Sequence, residues 1–137
     1  MILVDSSVWI DLLGDRQTPQ TRRFEQLLAE EQPVGVADLV AAEVLQGTRS
    51  ERNFRDALAT LRAFPWVRVV DGEVAANAAR NFRTLRSRGI TVRKTADTLI
   101  ATRCILDRIP LLYGDRDFDP FVAHLQLRSA LNDTGAT

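Results

Sequence analysis

Short apolar runs alternate with longer amphipathic segments along the chain. Four runs have the length and composition of buried strands, and they lie at 2–4, 33–37, 66–70 and 111–113. A fifth strand could form at 125–129. Because strands that alternate with helices tend to pair in parallel, the pattern predicts an α/β sandwich built on a mostly parallel sheet of four to five strands.

The segments between these runs have the pattern of helices. They lie at 6–13, 19–31, 39–46, 50–64, 73–88 and 95–108. Phe54, Leu58 and Leu61 recur at i, i+4 and i+7, which is the spacing of one helix face. Asp38 is a predicted helix cap, whereas 6–13 could also be a turn and the tail 131–137 is predicted to fray. The apolar residues of 95–108 cover a broad surface, which predicts a central helix.

The size of the chain fits one domain. Its 137 residues are enough for a substantial core and contain no linker-like tract, so we expect a single domain over 1–137. No apolar run approaches the roughly 18 residues that a membrane-spanning helix needs. The stretch MILVDSSVWI lacks a basic region before its apolar residues, so we expect no signal peptide and a cytoplasmic protein.

Cysteine and histidine are too scarce for several kinds of chemistry. Cys104 is the single cysteine, which excludes an intramolecular disulfide and a zinc site built from thiolates. His124 is the single histidine, so a Ser-His-Asp triad would have to use it. The sequence contains no GxSxG motif of the kind that carries a nucleophilic serine. Any catalytic chemistry therefore has to use oxygen ligands.

Four acidic residues lie where the predicted fold could bring them together. Asp5 follows the first strand and Asp115 follows the fourth, so both belong to the same edge of a parallel sheet. Glu43 lies in the apolar stretch LVAAEVLQ, and Asp97 lies in the first turn of 95–108. Taken singly, each could be a cap, a dipole partner or a solvated side chain. Taken together, they would repel one another unless a divalent cation such as Mg²⁺ or Mn²⁺ neutralised them.

The basic residues show a bias that the net charge of zero hides. Lys94 is the one lysine among 18 basic residues, and the others are arginines. The bias could reflect genome composition, or it could serve phosphate recognition, for which the guanidinium fork is suited. Candidate phosphate contacts lie near the acids at Arg86, Arg93, Lys94 and Arg116, although a solvated helix face would also explain them.

Four ordered motifs resemble those of the PIN-domain ribonucleases, and within them the VapC toxins of bacterial type II toxin–antitoxin modules. They are VDSSVWI at 4–10, VAAE at 40–43, ADTLIA at 96–101 and LLYGDRDF at 111–118. The resemblance implies a three-layer α/β/α fold in which Asp5, Glu43, Asp97 and Asp115 form a catalytic metal site. It further implies an auxiliary metal-site role for Asp117 and a supporting role for the hydroxyl of Ser6. Asp119 matches no metal position of the family, and we expect a turn or cap role there.

The resemblance also implies a function. We expect an Mg²⁺- or Mn²⁺-dependent endoribonuclease toxin that forms a homodimer and is neutralised by a cognate VapB-type antitoxin in a hetero-oligomer. RNA would then be the ligand of the basic residues near the acids. The alternatives are a housekeeping PIN-domain nuclease for RNA processing and a catalytically inactive PIN scaffold. A receiver-like binding module is disfavoured, because no lysine follows the strand at 125–129.

Overall fold

The computed structural model describes residues 1–132, and its centre is a four-stranded parallel sheet. The strands are β1 Ile2–Val4, β2 Val34–Ala37, β3 Trp66–Val67 and β4 Leu111–Leu112. Their order is β3-β2-β1-β4, and every pair is parallel. The carboxyl ends of all four strands therefore lie at one edge of the sheet.

Seven α-helices occupy most of the chain between and after these strands, within the part that the structure describes. They are α1 Ser6–Leu13, α2 Pro19–Ala29, α3 Asp38–Gln46, α4 Glu51–Arg62, α5 Gly72–Ser87, α6 Thr95–Asp107 and α7 Asp119–Leu125. A 3₁₀ turn, Arg116–Phe118, leads into α7. None of the described helices is both long and apolar enough to cross a bilayer.

The sheet is covered on both faces. Ile2, Leu3 and Val4 are all buried, although successive side chains of a strand point to opposite faces. The helices pack in two groups, because α1 contacts α2 and α3, and α3 contacts α4, whereas α5 packs along α6 and reaches α7. The sheet is thus the middle layer of an α/β/α sandwich, which confirms the predicted fold class.

The third strand is shorter than the predicted 66–70, and its polar contacts explain why. The N–H of Val69 donates to Oδ1 of Asp38 at 3.1 Å, and the carbonyl of Val69 accepts from Nε of Arg103 at 3.1 Å. Side chains thus take the backbone groups that a longer strand would offer to its neighbour. Asp38 itself is the first residue of α3 rather than its cap.

The predicted fifth strand at 125–129 is reduced to one parallel bridge between Ser129 and Leu111. Leu125 is instead the last residue of α7, which the sequence pattern did not predict. The bridge continues the sheet beyond β4, since the N–H of Leu111 donates to Arg128 and its carbonyl accepts from Ala130. Most of the tail that was predicted to fray lies outside the described residues.

Candidate metal centre

Asp5 lies directly after β1, and hydrogen bonds from Ser7 hold one of its two carboxylate oxygens. Its carboxylate caps α1, where Oδ2 accepts from the hydroxyl of Ser7 at 3.0 Å and from the Ser7 N–H at 3.5 Å. The side chain is buried, and Oδ1 has no hydrogen-bond partner within residues 1–132. The hydroxyl that supports Asp5 thus belongs to Ser7. The resemblance indicated Ser6 for this role, whereas the hydroxyl that donates to Asp5 is that of Ser7.

Asp115 ends the segment after β4 and caps the 3₁₀ turn. Its Oδ1 accepts from the N–H of Asp117 at 2.9 Å, so the two carboxylates are held on the same turn. Asp97 reaches them from the third position of α6. Each of these three side chains offers a carboxylate oxygen, and the three oxygens lie within 4.8 Å of one another. The structure therefore brings together two of the four predicted acids and the predicted auxiliary acid.

Charge interactions indicate that the other two predicted acids, Asp5 and Glu43, lie near this group. The pKa of Asp97 is raised to about 7, mainly by burial and also by the negative charges of Asp5, Glu43 and Asp115, while the charge of Lys94 opposes the shift. Burial also raises the pKa of Glu43, with added contributions from Asp5 and Asp115. These couplings arise only between groups that are close together. We call Asp5, Glu43, Asp97, Asp115 and Asp117 the acidic cluster.

The acidic cluster fits a hard divalent cation. One carboxylate oxygen on each of Asp5, Glu43 and Asp97 is buried and lacks a hydrogen-bond partner among the described residues. Buried polar atoms are rarely left in that state, and a bound cation is one partner that would satisfy carboxylate oxygens. The cluster offers only oxygen ligands, which suit Mg²⁺ and Mn²⁺ better than softer metals.

Two of the four predicted basic residues approach the acidic cluster. Nη2 of Arg93 donates to both carboxylate oxygens of Asp117, at 3.1 and 3.0 Å. Lys94 directly precedes α6, and its charge partly offsets the upward pKa shifts of Asp97 and Glu43. Arg86 lies over the ring of Phe82, 5.6 Å from its centroid. The fourth residue, Arg116, is exposed on the 3₁₀ turn.

Tyr113 and Asp119 form a pair that sequence reasoning missed. The hydroxyl of Tyr113 donates to Oδ1 of Asp119 at 2.8 Å, and the Tyr113 ring packs against Phe118 with 5.4 Å between centroids. Asp119 is also the first residue of α7. The sequence places the two residues only six positions apart, but nothing in their spacing indicates that they bond to each other.

An α/β/α sandwich with acids gathered at the carboxyl edge of a parallel sheet is a known architecture. The PIN domain family model matches residues 2–121, so the chain belongs to the PIN domain family. This match confirms the family that the sequence motifs indicated.

The alignments with related proteins cover nearly the whole length of the chain. VapC ribonuclease Mb1587 of Mycobacterium bovis and ribonuclease VapC11 of Mycobacterium tuberculosis are each 28% identical over 131 residues, which is 95% of this chain and 98% of theirs. VapBC2 from Rickettsia felis, solved bound to a DNA fragment from its promoter, superposes with a TM-score of 0.73 at 17% identity. That alignment covers 94% of this chain and 97% of the other. VapBC-1 from nontypeable Haemophilus influenzae has a TM-score of 0.72 at 18% identity, covering 95% and 98%.

Proposed function

We propose that this protein is a divalent-metal-dependent endoribonuclease and acts as the toxin of a VapBC-type toxin–antitoxin system. The observation that carries the proposal is the acidic cluster, in which three carboxylate oxygens lie within 4.8 Å of one another. The proposal is also supported by the buried carboxylate oxygens of Asp5, Glu43 and Asp97 that lack a hydrogen-bond partner among the described residues. The names of the curated relatives, both ribonucleases, point in the same direction.

The cation of this proposal is Mg²⁺ or Mn²⁺. Asp97, Asp115 and Asp117 would hold it, while Asp5 and Glu43 complete its negative surroundings. A cation bound there would neutralise charge on a phosphodiester and make a water a better nucleophile at neutral pH. The Ser7 hydroxyl keeps the Asp5 carboxylate oriented, and the Asp117 N–H does the same for Asp115.

The RNA strand would approach across the basic residues beside the cluster. Arg93 contacts Asp117, and Lys94 lies close enough to Asp97 to affect its pKa. Arg116 is exposed on the turn between Asp115 and Asp117. Arg86 would contact a more distant phosphate, because it lies on α5 with its guanidinium over Phe82. Phosphate contacts of this kind fix the position of a nucleic acid without reading its sequence.

The partner in this proposal is a VapB-type antitoxin. A groove between α1, α3 and α4 is lined by Ile10, Leu13, Val44 and Ala57, and the first two are exposed apolar side chains on α1. An amphipathic antitoxin segment could bury them. A basic antitoxin side chain could in addition neutralise the acidic cluster. The proposal includes a homodimer, assembly with the antitoxin into a hetero-oligomer, and a cytoplasmic location.

The test of the proposed function is cleavage of a mixed-sequence RNA by the purified chain. Mn²⁺ or Mg²⁺ should support cleavage, and EDTA should abolish it while the circular dichroism spectrum stays that of the folded protein. Asp115→Asn should be inactive under the same conditions, whereas Asp11→Asn, on α1 and paired with Arg16, is a matched control that should stay active. Full cleavage in EDTA, or by Asp115→Asn, would overturn the proposal.

A further inference from the structure

One member of the acidic cluster is already engaged by a cation from the protein itself. Arg93 lies in the connection between α5 and α6, and its side chain is 75% exposed. Its Nη2 contacts both oxygens of Asp117, which is 20% exposed. The guanidinium therefore covers the carboxylate from the solvent side.

The same carboxylate is one of the three that could hold a metal. An oxygen of Asp117 lies within 4.8 Å of oxygens of Asp97 and Asp115, so a cation shared by the three would use atoms that now accept from Arg93. The guanidinium and a divalent cation repel each other at such a distance. The two cations therefore compete for Asp117.

The competition favours the metal. The Arg93–Asp117 pair is solvent-exposed on the arginine side, and ion pairs of that kind contribute little. The metal, in contrast, would also bind the carboxylates of Asp97 and Asp115, which offer oxygens within 4.8 Å of an oxygen of Asp117. The backbone of Asp117 would stay in place after Arg93 leaves, since its N–H donates to Oδ1 of Asp115 at 2.9 Å.

We propose that Arg93 is an exchangeable counterion of Asp117, which the metal displaces and which then contacts the phosphate backbone of the RNA substrate. The second half of this statement rests on the proposed function. Arg93 suits the exchange because its planar fork matches carboxylate and phosphate oxygens alike. The connection that carries it has no regular secondary structure that would fix the side chain in one place.

The exchange predicts opposite effects of one substitution on two ligands. Arg93→Gln removes the competing charge, so Mn²⁺ should bind about two- to tenfold more tightly. The same variant lacks the displaced guanidinium, so its KM for RNA at saturating metal should rise by a similar factor. A residue that only held Asp117 in position would have the opposite effect on the metal, because its loss would weaken Mn²⁺ binding.

The experiment is a calorimetric titration of the metal-free protein with Mn²⁺, followed by steady-state RNA cleavage. Arg16→Gln is the matched control. Arg16 pairs with Asp11 at 3.1 Å and is similarly exposed, but it follows the carboxyl end of α1 and is not part of the acidic cluster. Arg93→Gln should bind Mn²⁺ more tightly than the wild type, and Arg16→Gln should bind it equally. Both variants should keep the wild-type melting temperature without metal to within a few degrees.

A failure of the proposed exchange can be distinguished from a failure of the proposed function. If the wild type binds Mn²⁺ and cleaves RNA, but Arg93→Gln binds Mn²⁺ with equal or lower affinity, the exchange is wrong and the proposed function stands. If the wild type neither binds Mn²⁺ nor cleaves RNA, the proposed function is wrong and the exchange is refuted with it.

Discussion

The backbone N–H of Asp5 donates to the carbonyl of Leu112 at 2.8 Å, and this bond sets the geometry of the acidic cluster. It extends the parallel pairing of β1 with β4, in which Val4 lies opposite Leu112. Asp5 thus leaves the sheet beside the end of β4, and Asp115 follows three residues after Leu112. Two acids that are 110 positions apart in sequence meet because their strands are neighbours in a parallel sheet.

The stability of the metal-free protein should fall as the pH rises from about 4 to 7. Asp97 has a pKa of about 7 in the folded protein against an ordinary value of 3.8, so between these values the folded state binds a proton that the unfolded state has lost. The free energy of unfolding therefore decreases through this range and levels off above pH 7. Thermal melting in EDTA at pH 5.5 and pH 8 measures it, and a higher melting temperature at pH 8 would contradict the assignment.

Asp97→Asn should make the metal-free protein more stable at pH 8 while abolishing RNA cleavage. The substitution removes a buried charge that its neighbours destabilise, and each pKa unit corresponds to about 1.4 kcal/mol, so we expect a gain of about 1–3 kcal/mol. Thermal melting and a cleavage assay test the two effects separately. Asp119→Asn is the control, since Asp119 lies outside the acidic cluster and should keep nearly full activity.

Ser7→Ala should impair the protein more than Ser6→Ala. The Ser7 hydroxyl donates to Asp5 at 3.0 Å, and a hydrogen bond to a charged group contributes about 1.5–3 kcal/mol. We expect Ser7→Ala to weaken Mn²⁺ binding or kcat/KM by about tenfold. Ser6→Ala leaves the hydrogen bond from Ser7 to Asp5 in place and should change either value little. The reverse order of the two variants would return the supporting role to Ser6.

Tyr113→Phe should lower stability slightly and leave RNA cleavage intact. The variant loses the 2.8 Å hydrogen bond to Asp119 but keeps the ring contact with Phe118. Because this hydrogen bond lies near the surface, its loss should destabilise the protein by about 1 kcal/mol or less. Urea denaturation measures that difference, and a large loss of activity in this variant would mean that Tyr113 takes part in the reaction.

The sequence predicted the sheet and its site-bearing edge because both follow from local patterns. Apolar runs mark the buried strands predicted at 2–4 and 111–113. The helices between the strands indicate that the strands pair in parallel. Those patterns place Asp5 and Asp115 at one edge without any knowledge of tertiary contacts. The family could be identified for the same reason, since its motifs follow the strand ends and helix starts.

The errors and omissions arose where individual side-chain contacts, which leave no pattern in the sequence, decide the structure. The third strand ends at Val67 because Asp38 and Arg103 bind the backbone of Val69. The choice between Ser6 and Ser7 depends on how Asp5 caps α1, since the two serines are adjacent and chemically identical. The Arg93–Asp117 pair joins residues 24 positions apart and leaves no pattern in the sequence.

The chemistry of the product ends tests the central claim most directly. If the acidic cluster directs a water at the RNA phosphate with the help of a divalent cation, the 2′-hydroxyl of the substrate is not the nucleophile. The products should then carry a 5′-phosphate and a 3′-hydroxyl, and an oligonucleotide with 2′-deoxyribose at the scissile position should still be cut. A 2′,3′-cyclic phosphate, together with resistance of the deoxy-substituted oligonucleotide, would contradict the account.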